Sequence, residues 1–430
     1  MRIACVGNTN NMLFSMARYL RQQGWSADLL LQNNELPQFQ PLADTFDFVY
    51  RTFTRTLTWG DKESFARVDA SRVVEDVSGY DFVIGINTVP AFFAKANITL
   101  DLFIPAGNDL YKLPRLDRQM RWDQRLRQPE AVAFFKAQRR GIQSTWIVNH
   151  DDADQDYSRV LRELDLSQST YFFGFPMVFQ PIYSVASVAA NYCRSAWYRE
   201  FLALRESADF LVFNGNQQFW TIDYDPDTSL DGRHKGTDRL IRGFALFRKR
   251  HPSLRARLIQ FEYGPDVLAS KRLCEELGIA DSVAWFPTLP RKELMVALSL
   301  SDCGCGQFFA GCSGGGTTWE VLAAGKPLLH YRHPGYRKPA RFTSWFPHFN
   351  VGTDVEIADA LECIKTDPDS ATRLGMAGAA WYDENLVRRP LDEIAEMCKL
   401  KQSGGDKRAW RDARVRRFSM LDQSGDGQEE

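Results

Sequence analysis

Three consecutive glycines, Gly314, Gly315 and Gly316, stand directly before Thr317 and Thr318. They follow the strand-like stretch Cys303–Phe309 and precede a helical pattern over Thr317–Ala324 that Gly325 ends. Glycines let a backbone approach a ligand closely, and the first turn of a helix presents unpaired N–H groups. Together they form an anion site of the kind that holds a phosphate. Thr317 and Thr318 add hydroxyl donors. Glu320, one turn on, can accept hydrogen bonds from ribose hydroxyls. Its rival role is a capping box, Thr317-x-x-Glu320, in which the carboxylate only satisfies the helix start. The triplet favours the ligand role, because a cap needs no glycine run in front of it.

A second group lies in Gly232-Arg-His-Lys-Gly236, just before a helix that opens near Thr237. Lys235 at a helix start neutralises a diphosphate as a point charge added to the helix dipole, with Arg233 beside it. A solvated basic turn is the plain alternative. Asn214 and Asn216 follow the apolar run Asp209–Phe213 and either line the same cleft or make its turn. Gly7 and Asn8 follow the first apolar run and are expected at the mouth of a ligand cleft. Gly7-Asn-Thr-Asn10 is no dinucleotide fingerprint, since its glycine spacing is absent.

Metal chemistry finds little support. Asp151, Asp152 and Asp154 after His150 lack calcium-loop spacing and are expected in a solvated loop. Cys303, Cys305 and Cys312 have no second ligand pair nearby, so the eight cysteines are expected as free thiols and no metal is expected. The formal net charge of -1 points to neither nucleic acid nor an acidic partner. No apolar run is long enough for a membrane span, and the start, Met1-Arg-Ile-Ala-Cys-Val, is laid out as a strand and not as a signal peptide. A cytoplasmic location is the expectation.

The elements that must position these residues alternate between strand and helix. At 430 residues the chain exceeds one ordinary core, and two domains of about 200 residues each are expected. Strands are predicted at Arg2–Val6, Asp28–Leu31, Asp81–Ile86, Leu100–Ile104, Thr145–Val148 and Thr170–Phe173. After a proline-bearing linker, Phe175–Tyr183, they resume at Asp209–Phe213, Ala256–Phe261, Ser282–Phe286 and Pro327–Tyr331. Helices are predicted between them, among them Val267–Leu277 and Lys292–Leu300. Continuous apolar strands separated by helices mean parallel sheets covered on both faces. The fold class is α/β, with two tandem Rossmann-like doubly wound domains facing a cleft, where ligands gather beyond the strands' carboxyl ends. The boundaries expected are 1–180 for the first domain, 181–208 for a connection and 209–380 for the second. A C-terminal helix, 381–401, is expected to return to the first domain, followed by a tail, 402–430. Lys112–Arg140 is expected to be helical and solvated. The tail, with its basic run Lys407–Arg417, is expected to be disordered. A membrane-surface helix using Trp410, Val415 and Phe418 is its alternative, which would add peripheral contact at the inner face of a membrane. Arg332, Arg337, Lys338 and Arg341 lie among aromatics in a loop expected to pack those rings inward.

In this order and at these distances the motifs resemble the retaining, metal-independent glycosyltransferases group 1 family, which has the GT-B fold. The stretch from about Asp209 to Leu329 carries the likeness: Lys235-Gly236, Gly264-Pro265, and Glu320 with Ala323-Ala-Gly-Lys-Pro327. Asn216 stands where the family has arginine. Cys312 stands where it has the glutamate that meets the donor sugar. In the first half, Gly107 and Asp109 match an acceptor-side loop, with Asn108 between them and Ala106 in place of its histidine. The resemblance implies transfer of a sugar from a nucleotide diphosphate sugar of UDP or GDP type to a carbohydrate or glycoconjugate acceptor, with no cofactor and no nucleic-acid partner. Lys235 and Asp109 are then catalytic. The donor falls to Gly7, Asn8, Asn214, Asn216, Arg233, Lys235, Gly264, Cys312, Gly314–Thr318 and Glu320, and base recognition to backbone near Gly264 or Phe286–Thr288. The three departures also leave open a non-catalytic nucleotide-sugar-binding protein or partner subunit, and the architecture is shared by nucleotide-sugar epimerases. Sugar, base, acceptor and oligomeric state are not legible.

Overall fold

The computed structural model describes residues 1–149, 160–166, 173–221, 234–309, 314–334, 338–339, 342–406, 409–410 and 412–414. It contains two parallel six-stranded sheets. The first is built from β1 (Arg2–Val6), β2 (Ser26–Leu31), β3 (Thr54–Thr56), β4 (Phe82–Gly85), β5 (Leu102–Phe103) and β6 (Ile147–Val148), in the order β3-β2-β1-β4-β5-β6. The second is built from β7 (Phe210–Phe213), β8 (Ala256–Phe261), β9 (Val283–Phe286), β10 (Cys303–Cys305), β11 (Leu328–His330) and β12 (Phe349–Asn350), in the order β12-β11-β10-β7-β8-β9. Counted from its own first strand, each sheet has the same doubly wound order, with its reversal between first and fourth strands. This is the tandem Rossmann-like architecture expected. Two edge strands, β3 and β12, were not expected, and of the expected Thr170–Phe173 strand only Phe173 lies within the described residues.

In the first half, α1 (Met12–Gln22) covers one face of the sheet. On the other face α2 (Val89–Lys95) packs against α3 (Pro129–Ser144). Gly141 permits that crossing, because a Cβ there would stand 1.8 Å from the Pro90 carbonyl oxygen. The expectation of a wholly solvated Lys112–Arg140 is therefore corrected. Phe134, Phe135, Ala137 and Gln138 of α3 are buried, and Arg139 holds Asp117 through two bonds of 2.7 and 2.9 Å. Those apolar positions are too few per turn to show a stripe in the sequence; Gln138 Oε1 accepts from Ala91 N of α2 at 3.1 Å, and the Phe134 ring meets Phe65.

The second half carries α4 (Thr237–Arg250), α5 (Arg291–Leu300), α6 (Gly316–Ala323), α7 (Pro368–Tyr382) and α8 (Arg389–Ser403). Where 175–183 passes between the halves it is pinned, with Met177, Val178 and Tyr183 buried: the Tyr382 hydroxyl accepts from Val178 N at 2.8 Å, and the Tyr19 hydroxyl from Gln180 N at 2.9 Å. At the end of α8, Lys401 Nζ bonds Asp101 of the first half at 2.8 Å. Beyond it, Arg414 pairs with Glu393 and Glu396, so the tail docks on α8 this far, while Val415 and Phe418 lie outside the described residues. Phe342 and Phe346 of the aromatic loop are buried, and Trp319 stacks on Trp381. Among the described residues no helix is long and apolar enough to cross a membrane.

Candidate functional site

The reversal in strand order leaves a crevice at the carboxyl ends of β1 and β4 in one sheet and of β7 and β10 in the other. Between the halves lies a cavity of about 320 Å³. From the first half it is lined by Asn10, Asn11, Gln38 and Phe39. From the second it is lined by Gly215, Tyr263, Thr288, Leu289, Arg291, Gly316, Thr317 and Glu320.

The start of α6 opens into it. Gly315 is the N-cap, and no side chain caps the helix, so the capping-box alternative for Thr317 and Glu320 is not realised. The three glycines have separate reasons. Gly314 has φ +122°, and a Cβ there would meet the Trp319 ring at 2.6 Å. A Cβ on Gly315 would meet Gln307 Nε2 at 2.8 Å. Gly316 faces open space, its nearest neighbour being Met177 Cε at 4.0 Å. Only Gly316 therefore presents backbone to the cavity. Thr317 lines it beside Gly316. Thr318 is buried and lies outside the cavity lining, and its Oγ1 has no hydrogen-bond partner.

Glu320 is engaged differently from either sequence expectation. Its Oε1 accepts from Arg291 Nε at 2.8 Å. The same guanidinium donates to Asp44 Oδ1 at 3.0 Å, to Met177 O at 2.9 Å and to Asn10 O at 3.0 Å. Arg291 thus joins both halves and the crossing segment at the cavity wall. Burial works against its charge, but the Asp44 and Glu320 carboxylates outweigh this and raise its pKa further. Sequence reasoning missed Arg291. The signal available was Pro290-Arg291 opening the helix after the loop Phe286–Thr288, already marked as base-facing.

The loop after β1 contributes residues other than those expected. Gly7 has φ +86° and its Cβ would strike Ile86. Asn8 is fully buried: its Oδ1 accepts from Phe14 N at 2.8 Å, and its Nδ2 donates to Phe39 O at 2.5 Å. It shapes the loop from within. Asn10 and Asn11 reach the cavity instead, both in the left-handed region at φ 56° and 59°, a conformation that asparagine tolerates better than most residues. Glu35 Oε1 accepts from Asn8 N at 2.5 Å, and burial raises its pKa to about 7.

Asn214 and Asn216 are turned inward as well. Asn214 Nδ2 bonds Gln260 at 2.7 Å, and Asn216 Nδ2 bonds Asn214 Oδ1 at 2.7 Å and Gly306 O at 2.7 Å. They tie the end of β7 to β8 and to the end of β10, leaving Gly215 between them to face the cavity. Gly264, with φ +119°, lies against Gln218 backbone, where a Cβ would stand 2.4 Å from the carbonyl oxygen. Its neighbour Tyr263 is the lining residue.

Lys235 is half-buried and does not line the cavity. Its backbone N bonds Phe219 O at 2.8 Å and its carbonyl accepts from Phe308 N at 2.9 Å, which fixes it between the loops after β7 and β10. Gly236, with φ +64°, caps α4. Asp109, Asn108 and Gly107 lie after β5, outside the cavity lining. Asp109 accepts from the backbone N–H groups of Ala106, Asn87 and Leu110, and burial raises its pKa to about 6 against those bonds. Its lone pairs hold the loop. Arg233, Cys312, His150, Asp151, Asp152 and Asp154 lie outside the described residues. Among the described residues no group of three or more His, Cys, Asp or Glu is placed to hold a metal ion.

Neither a protein-family model nor a curated protein sequence matches the chain. Solved structures do match its fold. Anabaena HepE, solved with UDP, superposes with a TM-score of 0.55 at 14% identity, over 93% of this chain and 100% of its own; it has also been solved with UDP-glucose. Sucrose-phosphate synthase from Thermosynechococcus elongatus gives 0.53 at 15% identity, over 94% and 100%. WaaG, a glycosyltransferase involved in lipopolysaccharide biosynthesis, gives 0.52 at 13%, over 92% and 99%. The chain has the GT-B fold. At these identities the likeness reaches no further than the fold.

Proposed function

We propose that this chain transfers a glycosyl group from a nucleotide diphosphate sugar of UDP or GDP type to a carbohydrate or glycoconjugate acceptor, with retention and without a bound metal. The observation that carries the reading is the uncapped start of α6. Gly316 and Thr317 open into a cavity walled by both halves at the crossover of each sheet, with Glu320 one turn deeper. Helix N–H groups there suit a leaving diphosphate, on which negative charge grows in the transition state. The structures of HepE with UDP and UDP-glucose support a donor of this class. We assign to Lys235, at the start of α4 and outside the cavity lining, the positive charge that a metal would otherwise give, and to Glu320, held by Arg291 through Oε1 at the cavity wall, the ribose. Gly107, Asn108 and Asp109 shape the acceptor side.

A thermal-shift screen with UDP, UDP-glucose and GDP-mannose tests the central step. Donor at saturating concentration is expected to raise the melting temperature by mass action. No shift with any nucleotide sinks the donor site.

A second reading is a non-catalytic nucleotide-sugar binder. Asp109 favours it, since backbone N–H groups occupy the carboxylate that would act as a base. Donor turnover by the purified chain excludes this reading.

A further inference from the structure

The helix Trp122–Arg127 presents two large apolar side chains to solvent. Trp122 is 74% exposed and Leu126 is 72% exposed, the highest values among the exposed large hydrophobic residues described. They are four positions apart, so they share one helix face. An isolated exposed leucine needs no explanation, but an exposed tryptophan and leucine on one face of a short helix do.

The charge around them is one-sided. Residues 112–127 carry Lys112, Arg115, Arg118, Arg121, Arg125 and Arg127 against Asp117 and Asp123, in a chain whose formal net charge is -1. Both acids are engaged. Asp117 is held by Arg139 at 2.7 and 2.9 Å, and Asp123 lies 3.5 Å from Arg121 Nε. Lys112, Arg118 and Arg127 make no ion pair among the described residues. The segment is firmly mounted. Arg125 bonds the carbonyls of Met120 at 3.0 Å and Arg118 at 2.9 Å, and Pro129 at once begins α3, whose buried face anchors it to the domain.

We infer that this surface docks on an anionic lipid bilayer. A tryptophan and an aliphatic side chain on one helix face, with exposed Arg118, Arg121, Arg125 and Arg127 in the same segment, match both parts of such an interface: rings settle at headgroup depth, and guanidinium groups meet lipid phosphates. A second copy of this chain fits poorly, because the same positive surface repels itself. The site stands apart from the glycosyl-transfer reading and needs no donor.

Co-sedimentation of the full chain with vesicles tests it. The chain is expected to pellet with mixed phosphatidylcholine and phosphatidylglycerol vesicles, to stay in solution with phosphatidylcholine alone, and to release at high salt. Trp122→Ala with Leu126→Ala is expected to weaken partitioning about tenfold. Arg118→Gln with Arg127→Gln is expected to do likewise, again about tenfold. All four positions are exposed, so both double variants should melt as the wild type does. The inference is overturned if the wild type ignores anionic vesicles, if it binds neutral ones equally, or if both double variants pellet unchanged. Binding to single-stranded RNA without binding to vesicles overturns it in favour of a nucleic-acid partner.

Discussion

Arg291 Nε donates to Glu320 Oε1 across 2.8 Å at the wall of the cleft, and the same guanidinium reaches Asp44 of the other half at 3.0 Å. One buried cation therefore serves two buried carboxylates from opposite domains. Burial alone raises the Asp44 pKa, and Arg291 opposes that rise. The energetics of such a triad are asymmetric: breaking it costs more than forming it returns, because the remaining charges stay buried.

Arg291→Met is accordingly expected to destabilise the chain by about 3–5 kcal/mol near neutral pH. The loss should shrink in acid. Without the cation, the Asp44 pKa, already raised by burial, would stand further above its unfolded value, so stability falls as pH rises through that window. Urea denaturation of the variant and wild type at several pH values checks this. Equal stability at neutral pH would show that the triad holds nothing together.

Lys235→Ala is expected to lower kcat by at least about a hundredfold while the melting temperature stays near that of the wild type. The side chain is half-buried, and the backbone bonds to Phe219 and Phe308 survive the substitution. Donor turnover at saturation, measured beside a melting curve, separates the two effects. Normal turnover would remove Lys235 from the catalytic machinery.

How far the sequence reaches is clear from these residues. β1 and β8 lie where continuous apolar runs place them, Arg2–Val6 and Ala256–Phe261. β3 and β12 escape because Thr54-Arg-Thr56 and Phe349-Asn350 are short edge pieces without an apolar run. The glycine triplet is legible because backbone access is a local property. Arg291 is not, because its role arises only when Asp44, 247 residues away, is folded against it. Asn8, Asn214 and Asn216 show the converse. Sequence puts them at the ends of the central strands, but only three-dimensional hydrogen bonding reveals that their side chains face the protein while Asn10, Asn11 and Gly215 face the cleft.

Thr318 offers a test of the anion site itself. Its hydroxyl is buried with no hydrogen-bond partner. Replacing it by a methyl group of similar shape removes an unsatisfied polar atom, so Thr318→Val is expected to stabilise the ligand-free chain by about 1 kcal/mol. The same change should weaken nucleotide diphosphate binding about tenfold, through loss of a hydrogen bond to a charged oxygen. Denaturation and titration calorimetry read the opposing effects. A variant that binds UDP as tightly as the wild type places Thr318 outside the donor site.

Glu35 links stability to pH. Its carboxyl accepts the Asn8 N–H behind the cavity loop, and burial raises its pKa from the usual carboxylate value to about 7. The folded chain therefore keeps a proton on Glu35 in a pH range where the unfolded chain has lost it. Bound protons are then more numerous in the folded state between the ordinary glutamate pKa and about 7. Stability must fall as pH rises through that range, by at most roughly 1.4 kcal/mol per pH unit from this group. Glu35→Gln removes the titration but keeps an oxygen that can accept the Asn8 N–H. The variant is expected to gain stability on the wild type as pH rises from mildly acid to neutral, and to run parallel to it above that. Denaturation curves for both proteins across this window check the sign. A difference that stays constant with pH would mean that Glu35 is ionised throughout, and that Asn8 is held by a charged partner.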